Sequence, residues 1–240
     1  MRFRLVTPTR CARFGGALYL VIILTGIVGP LVTRERLLVP GNPFATAENI
    51  AASPGLWRAG IALDVVMQVC DVPVMLILFL LLSPVNRNVA GLALLFNIVQ
   101  TAILEANQQT LVAAQLASPD QPSLSDVAVQ AYSYGEALGL VFFGFTLLGT
   151  GYLIRRSGYL PWVIGLLVQV AGVGYVVSSF LLLVVPGTPD VVNVALLVPA
   201  FVGELSLASW LVAKGVDASK LEAVRDGWRP GGGTPSQRTG

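Results

Sequence analysis

Two aspartates lie seven residues apart in an almost wholly apolar stretch, ALDVVMQVCDVPV, which covers residues 62–74. Because an α-helix turns about 100° per residue, Asp64 and Asp71 should return to nearly the same face, roughly 10 Å apart along the axis. Gln68 lies between them on that face. In an apolar helix, carboxyl groups aligned in this way mark sites of proton transfer or cation binding.

Other acids also fall within long apolar runs, and each costs about 2.5–3.5 kcal/mol at the centre of a membrane-spanning helix. The base that we expect within these runs is Arg58, near the end of one of them. One base cannot neutralise all of the acids, so we expect several of them to face water, to bind a cation or to remain protonated. The candidate catalytic residues are Asp64, Asp71, Glu105, Glu136 and Glu204.

Polar and aromatic side chains near these acids are the candidates for substrate binding. Asn97, Thr101, Glu105 and Gln108 recur at helical spacing and predict a polar stripe on one helix. Aromatic rings, Phe143 among them, are included because the negative face of a ring stabilises a cation. The predicted substrate-binding residues are Gln68, Asn97, Gln108, Tyr132, Tyr134, Phe142 and Tyr175.

The sequence predicts neither a metal site nor a cofactor. It contains no histidine, which removes imidazole ligands and the Ser-His and Cys-His catalytic groupings. Cys11 and Cys70 lie in segments of different character and do not form a metal-ligand pattern.

The elements that must position these residues are membrane-spanning helices. Of the 240 residues, 55% are hydrophobic and 12% are charged, whereas soluble domains carry about 25% charged residues. Crossing ~30 Å of hydrocarbon takes about 20 mostly apolar residues. The sequence predicts an all-α membrane protein, a bundle of six transmembrane helices over residues 14–33, 56–82, 89–117, 127–154, 160–185 and 191–213. We expect the first run to be a retained helix, because no small-residue cleavage site follows it.

The basic residues predict the orientation of the bundle. With an inside N-terminus, only Arg34, Arg36 and Arg58 of the 15 Lys and Arg residues fall in outside segments. The positive-inside rule therefore predicts that both termini are cytoplasmic and that the protein is a multi-pass protein of the cell membrane. The predicted parts are a basic cytoplasmic N-terminus over 1–13, a six-helix transmembrane domain over 14–213, and a cytoplasmic, largely disordered tail over 214–240.

In this orientation the acids predict a pocket inside the bundle. Asp64, Glu105 and Glu136 should lie toward the outer leaflet, with Asp71 and Glu204 nearer the middle. We expect the pocket to be closed or nearly closed at the Arg-rich cytoplasmic face.

Two further residue types predict packing rather than chemistry. Glycines permit close approach of helices in membranes, which we expect of Gly135, Gly139, Gly144, Gly149, Gly165 and Gly172. Aromatic residues near the ends of spans should form belts at the membrane interfaces, which we expect of Tyr19, Tyr152, Tyr159, Trp162 and Trp210.

Several segments resemble a bacterial membrane family known as domain of unknown function 4386. They are residues 37–100, YLIRRSGYLPWVIGLLV and LLVPAFVGELSLASWLVAKG, and the likeness covers roughly residues 12–214. The most specific motifs, D-V, P-V-N-R and G-E-L, place Asp71, Asn86, Arg87 and Glu204 at motif positions. Because the family carries no assigned chemistry, the resemblance implies no catalytic role for any residue.

Three functions remain open from the sequence. The first is an intramembrane enzyme, similar in size and build to small membrane terpene cyclases, whose acids isomerise or cyclise a lipophilic prenyl or terpenoid-like substrate. The second is a proton- or cation-coupled carrier of small molecules, for which a homodimer would compensate for the modest number of spans. The third is a non-catalytic membrane component. The expected partners are a lipophilic small molecule within the bilayer and membrane lipids, with no nucleic acid.

Overall fold

The computed structural model describes residues 7–185 and 189–227, and within them the long elements are all α-helices. Arg2 and Arg4 of the predicted basic N-terminus, and residues 228–240 of the predicted tail, lie outside the described residues. Six of the described helices are long and apolar enough to cross a membrane. The prediction of an all-α bundle with six spans is confirmed, while the side of the membrane on which the termini lie stays a prediction.

The described chain forms eight α-helices, and a π-helical turn, Gly29–Arg34, continues the first of them. The helices are α1 (Pro8–Val28), α2 (Pro43–Ala52), α3 (Pro54–Leu82), α4 (Arg87–Ala117), α5 (Pro122–Ser157), α6 (Trp162–Val184), α7 (Asp190–Ala213) and α8 (Ala218–Gly227). All except α2 and α8 are spanning helices. The predicted spans match these six closely, except that α1 already begins at Pro8 and α5 at Pro122.

Local sequence signals explain where the spanning helices begin and end. Proline is the first residue of α1, α3 and α5. It is favoured there because the backbone N–H of the first helical residue, which proline lacks, has no acceptor within the helix. The side chain of Asn86 accepts hydrogen bonds from the backbone N–H groups of Asn88 and Val89 and so caps α4. Gly158, with φ of 71°, ends α5 in the left-handed conformation that glycine adopts without strain.

The six spanning helices form a closed ring in chain order. Each packs against the next spanning helix, and α7 returns to pack against α1. We call the end of the bundle at which α1 begins the N-terminal end, and we call the opposite end the distal end. Consecutive spans run antiparallel, so the connections between them lie alternately at the distal end and at the N-terminal end.

Apolar cores lie at both ends of the bundle. The larger core fills the N-terminal end and includes Leu81, Ile154 and Leu211, which are completely buried. A smaller core at the distal end packs α2 and the start of α3 against α4 and α5 around Trp57. The indole N–H of Trp57 donates to the carbonyl oxygen of Leu111 at 2.9 Å, which satisfies its buried polar atom.

Glycines let α5 and α6 approach to backbone contact. A Cβ added at Gly165 would lie 2.7 Å from the carbonyl oxygen of Gly151, and one at Gly172 would lie 2.7 Å from that of Gly144. Gly135, Gly139 and Gly149 of α5 likewise lie against side chains of α4. The prediction that these glycines are packing contacts is confirmed, because an added Cβ would lie within 3.2 Å of a neighbouring helix at each of them.

A short helix, α8, lies within the segment whose composition predicted a largely disordered tail. Asp217 precedes it and accepts hydrogen bonds from the hydroxyl of Ser219 and the backbone N–H of Lys220. These bonds hold the pKa of Asp217 below its usual value. Leu221 of this helix is completely buried in the core at the N-terminal end, which explains why part of a polar segment is ordered.

Candidate functional site

A cavity of about 330 Å³ lies at the centre of the ring. All six spanning helices contribute to its wall, most of which is aliphatic or aromatic. Four of the five predicted acids line it, namely Asp64, Asp71, Glu136 and Glu204. This volume is near the lower end of the ~300–1,000 Å³ typical of small-molecule pockets.

The acids of α3 share one face, as their spacing predicted. Asp64, Gln68 and Asp71 are 3%, 3% and 7% exposed, and all three line the cavity. The side-chain oxygen Oε1 of Gln68 is buried and has no hydrogen-bond partner among the described residues. A buried amide oxygen without a partner is costly, so this stripe is arranged to meet a donor from something else in the cavity.

Arg34 overturns the expectation that no base is buried near the acids. We placed it in an outside loop, but the π-helical turn carries it into the bundle, where its side chain is 8% exposed and forms an ion pair with Asp64. Its guanidinium also lies 4.9 Å from the centroid of the Tyr132 ring. Arg58, the base that we did expect, is partnered instead by Gln115. A buried base therefore neutralises Asp64. The ion pair ties the π-helical turn at the end of α1 to α3.

Asp71 is anchored through one oxygen only. Its Oδ2 accepts hydrogen bonds from Asn97 Nδ2 at 2.8 Å and from Thr101 Oγ1 at 3.1 Å, both on α4. No described residue forms a hydrogen bond with Oδ1, although the residue lines the cavity. The polar stripe predicted on α4 thus orients the carboxyl group of Asp71 through one of its two oxygens.

Both oxygens of Glu204 are bound by tyrosine hydroxyls. Tyr19 donates to Oε2 at 2.9 Å, and Tyr175 donates to Oε1 at 2.6 Å. Two hydroxyl donors suit a carboxylate acceptor and fix its position between α1 and α6. The expectation that Tyr19 belongs to an interfacial belt is wrong, because its side chain is buried within the bundle.

The remaining two acids differ in their surroundings. Glu136 lines the cavity and interacts electrostatically with Arg34 and Asp64, but no described residue forms a hydrogen bond with its carboxyl group. Glu105 does not line the cavity, although it interacts electrostatically with Asp64 and its Oε1 is buried with no hydrogen-bond partner in the described part of the chain.

The predicted substrate-binding residues fall into three groups. Gln68 and Tyr175 line the cavity. Asn97, Gln108 and Tyr132 are buried behind its wall, where Asn97 holds Asp71 and Tyr132 lies beneath Arg34. The structure does not bring Tyr134 or Phe142 to the cavity, since the first is 49% exposed and the second packs against Phe96.

Helical spacing on α5 distinguishes the aromatic residue that lines the cavity from those that do not. Counting from Glu136, steps of four and seven reach Leu140 and Phe143, and both line the cavity. Tyr134 and Phe142 lie two and six positions from Glu136 and therefore point elsewhere. Gln100 and Phe201 also line the cavity and were not predicted. Gln100 was missed because it is not one of the residues that form the predicted polar stripe of α4.

The chemistry that the cavity supports follows from its charges. Four acids and one base, Arg34, line it, so a ligand that carries or develops positive charge is favoured there. Within residues 7–185 and 189–227, no group of three or more Cys, Asp or Glu side chains is arranged to hold a metal ion. The side chains present can donate and accept protons and can stabilise a cation with aromatic rings.

Comparison with known proteins gives a family and no activity. The family model described as "Domain of unknown function (DUF4386)" matches residues 14–215. An Archaeoglobus fulgidus protein described as uncharacterized is similar to this chain, with 31% identity over 153 residues that cover 64% of this chain and 82% of the relative. No solved structure matches the chain.

Proposed function

This chain belongs to the DUF4386 family, whose description assigns no activity, and we propose that it is an integral membrane enzyme that isomerises or cyclises a small lipophilic substrate by acid–base chemistry. The observation that carries the proposal is the carboxyl group of Asp71. It is held through Oδ2 by Asn97 and Thr101, while Oδ1 has no partner among the described residues of a largely apolar cavity.

Asp71 is the proton donor in this proposal. A protonated carboxyl group needs one oxygen to carry the proton and can use the other as an acceptor. The two donors from α4 occupy Oδ2, so the proton would be carried by Oδ1, which no described residue binds. A carboxylic acid kept neutral by apolar surroundings retains a proton that it can donate.

Glu204 is the proton acceptor. It lies close enough to Asp71 for the two to interact electrostatically, and the hydroxyls of Tyr19 and Tyr175 hold both of its oxygens in place. This pairing of a neutral acid with a carboxylate gives each group a separate role. Exchange with solvent between turnovers removes the proton from Glu204 and restores one on Asp71, which resets the site.

The step balances without a co-reactant. The proton of Asp71 forms a C–H bond at an alkene carbon, the π bond breaks, and a tertiary carbocation remains. A second alkene of the same molecule attacks this cation and forms a C–C bond. Loss of a proton from the final cation to Glu204 restores an alkene, so the product is an isomer of the substrate.

Aromatic rings at the cavity support a cationic intermediate. Phe143 and Tyr175 line the wall with an edge-to-face contact, their centroids 5.1 Å apart, and Phe201 lines it from α7. Ring faces attract a cation within about 6 Å. The acids of the cavity, which outnumber its single base, add a favourable electrostatic potential.

The test is incorporation of deuterium into product. Membranes that contain the protein are incubated in heavy water with linear prenyl substrates that are free, epoxidised or attached to an aromatic head, in the presence of an uncoupler. We expect a cyclised isomer with deuterium at the protonated carbon, because the proton on Asp71 exchanges with solvent between turnovers.

Matched variants identify the acids responsible. Asp71→Asn and Glu204→Gln should abolish the product. Asp126→Asn should leave it unchanged, because Asp126 lies near the distal end of α5, where it accepts from Gln130. A product that persists in Asp71→Asn would contradict the assignment of the donor.

A carrier is the second candidate function. One observation favours it, namely that four acids and one base, Arg34, line the cavity. Unpaired acids such as Asp71 and Glu136 could bind a proton and a cationic solute in turn. A carrier changes no covalent bond, and its transport stops when the pH gradient is dissipated. Unchanged prenyl substrates together with uncoupler-sensitive movement of a cationic solute would replace the enzyme with the carrier.

A further inference from the structure

We propose that the cavity exchanges its ligand directly with the bilayer through a lateral slot between the distal halves of α1 and α7. The slot is lined by Ile23 and Ile27 of α1 and by Leu197 and Phe201 of α7, all of which also line the cavity. This inference rests on the proposed function only in taking the cavity as a ligand site, and it names the class of ligand, a molecule dissolved in the hydrocarbon of the membrane.

The two helices are tightly packed only toward the N-terminal end. There Gly16 of α1 lies against α7 so closely that an added Cβ would be 2.7 Å from the backbone nitrogen of Val212 and 2.9 Å from the carbonyl oxygen of Ala208. The hydrogen bond from Tyr19 to Glu204 follows along α1. Beyond it, residues of both helices border the cavity instead.

Each helix is drawn toward its other neighbour at the distal end. Gly26 of α1 and Gly29 of the π-helical turn lie against Met67 and Asp64 of α3, where the Arg34–Asp64 ion pair fastens the end of the span. On the other side, an added Cβ at Gly174 of α6 would lie 2.6 Å from the carbonyl oxygen of Leu196 on α7. In this half of the bundle each of the two helices thus makes these close contacts with its other neighbour.

Exposure of the lining residues marks the slot as an opening. Ile27 is 40% exposed and Phe201 is 39% exposed, although both border a cavity whose acids on α3 are buried. Pro199 lies between Leu197 and Phe201 on α7, and it lacks the N–H that would hold this turn of the helix rigid. Only apolar side chains line the slot, so a charged or strongly hydrated molecule is excluded from it.

Apolar cores occupy the N-terminal end and part of the distal end. The larger core fills the N-terminal end, and the smaller core around Trp57 packs α2 and α3 against α4 and α5 at the distal end. A ligand that enters from water through either core would have to displace packed side chains. A ligand that enters through the slot leaves both cores intact, and the slot faces the apolar part of the membrane.

The experiment measures access to the cavity without the need for a substrate. In a background with Cys11→Ala and Cys70→Ala, a cysteine is introduced as Leu140→Cys on the cavity wall opposite the slot. Its rate of reaction is measured with N-phenylmaleimide, which dissolves in the bilayer, and with a charged trimethylammonium thiosulfonate, which does not. We expect the first reagent to label the cysteine and the second to be ineffective from either side.

Tryptophan substitutions then close the slot. Ile27→Trp and Leu197→Trp should slow labelling by N-phenylmaleimide by about tenfold, which corresponds to a barrier higher by about 1.4 kcal/mol. Val21→Trp and Val194→Trp are the matched controls on the same two helices, because both residues are exposed and neither lines the cavity. These controls should leave the rate unchanged.

The outcomes separate the slot from the proposed reaction. Equal labelling with the slot open and closed, or efficient labelling by the charged reagent, would overturn the slot. Leu104→Cys, also on the cavity wall, provides a second reporter if Leu140→Cys does not fold. If closing the slot slows labelling but no isomeric product forms, the cavity remains a binding site that is open to the bilayer. Only the proposed reaction would then be wrong.

Discussion

Arg34 forms an ion pair with Asp64 inside the bundle, across the junction between the π-helical turn and α3. Pro30 helps to create this turn, since proline cannot donate the usual helical hydrogen bond. The backbone N–H of Glu35 donates to the carbonyl oxygen of Pro30 at 3.0 Å, the spacing of a π-helix. The wider turn places the guanidinium at the distal edge of the cavity, where it is both a structural tie and the base nearest the acids.

Removing one partner of this pair should destabilise the protein more than removing both. Arg34→Met leaves Asp64 buried and unpaired, so we expect the free energy of unfolding to fall by about 3–5 kcal/mol. The double variant Arg34→Met/Asp64→Asn should recover most of this loss. The measurement is the midpoint of thermal unfolding in detergent. Arg58→Met is the control, because that exposed arginine is bonded to the side chain of Gln115; an equal fall in the control would refute the special position of Arg34.

The carboxyl group of Glu204 should be replaceable by an amide and not by a hydrocarbon. Glu204→Gln keeps oxygen and nitrogen atoms opposite the hydroxyls of Tyr19 and Tyr175, so its stability should stay close to that of the native protein. Glu204→Leu leaves both buried hydroxyls without a partner, at about 1–3 kcal/mol each. Thermal unfolding distinguishes the two, and similar midpoints for both variants would mean that the tyrosines do not depend on Glu204.

Small substitutions between α5 and α6 should be harmful despite their size. In Gly151→Ala the new Cβ would lie 2.5 Å from the carbonyl oxygen of Gly165, so the helices must separate, at about 1–3 kcal/mol. Gly91→Ala on α4 is the matched control, because nothing lies within 4 Å of its added Cβ. That variant should be neutral or more stable by up to about 1 kcal/mol. The reverse order of midpoints would contradict the packing between α5 and α6.

The orientation of the bundle can be tested by cysteine labelling from outside sealed cells. In the cysteine-free background, an impermeant reagent should reach Asp120→Cys, in the connection between α4 and α5. It should not reach Arg87→Cys or Arg156→Cys, which lie at the opposite end of the bundle. Labelling of the last two in intact cells would reverse the predicted orientation.

The spans and the stripe of α3 were predictable because both depend on local pattern. Apolar length predicts a membrane-spanning helix whatever its neighbours are, and a spacing of seven predicts that Asp64 and Asp71 share a face. The same counting applied to α5 selects Phe143 and rejects Tyr134. The closed ring, by contrast, depends on contacts between α1 and α7, which lie far apart in the sequence.

Arg34 and Tyr19 were misplaced for a common physical reason. Near the end of an apolar run, an arginine is ordinarily a residue of the connecting loop and a tyrosine ordinarily lies at the interface. Both assignments hold unless another helix offers a buried partner. Here Asp64 and Glu204 are those partners, and pairings across different helices are not visible in a local pattern.

The most direct test of the central claim is the site at which a lipophilic carbodiimide reacts. Dicyclohexylcarbodiimide partitions into membranes and adds to protonated carboxyl groups, and the modified peptide is identified by mass spectrometry. We expect an adduct on Asp71, whose Oδ1 has no hydrogen-bond partner among the described residues, and none on Asp64, which is paired with Arg34. Ile27→Trp should slow the reaction and Val21→Trp should not. An unmodified Asp71, or equal modification of Asp64 and Asp71, would contradict the claim that Asp71 is a protonated acid open to a ligand from the bilayer.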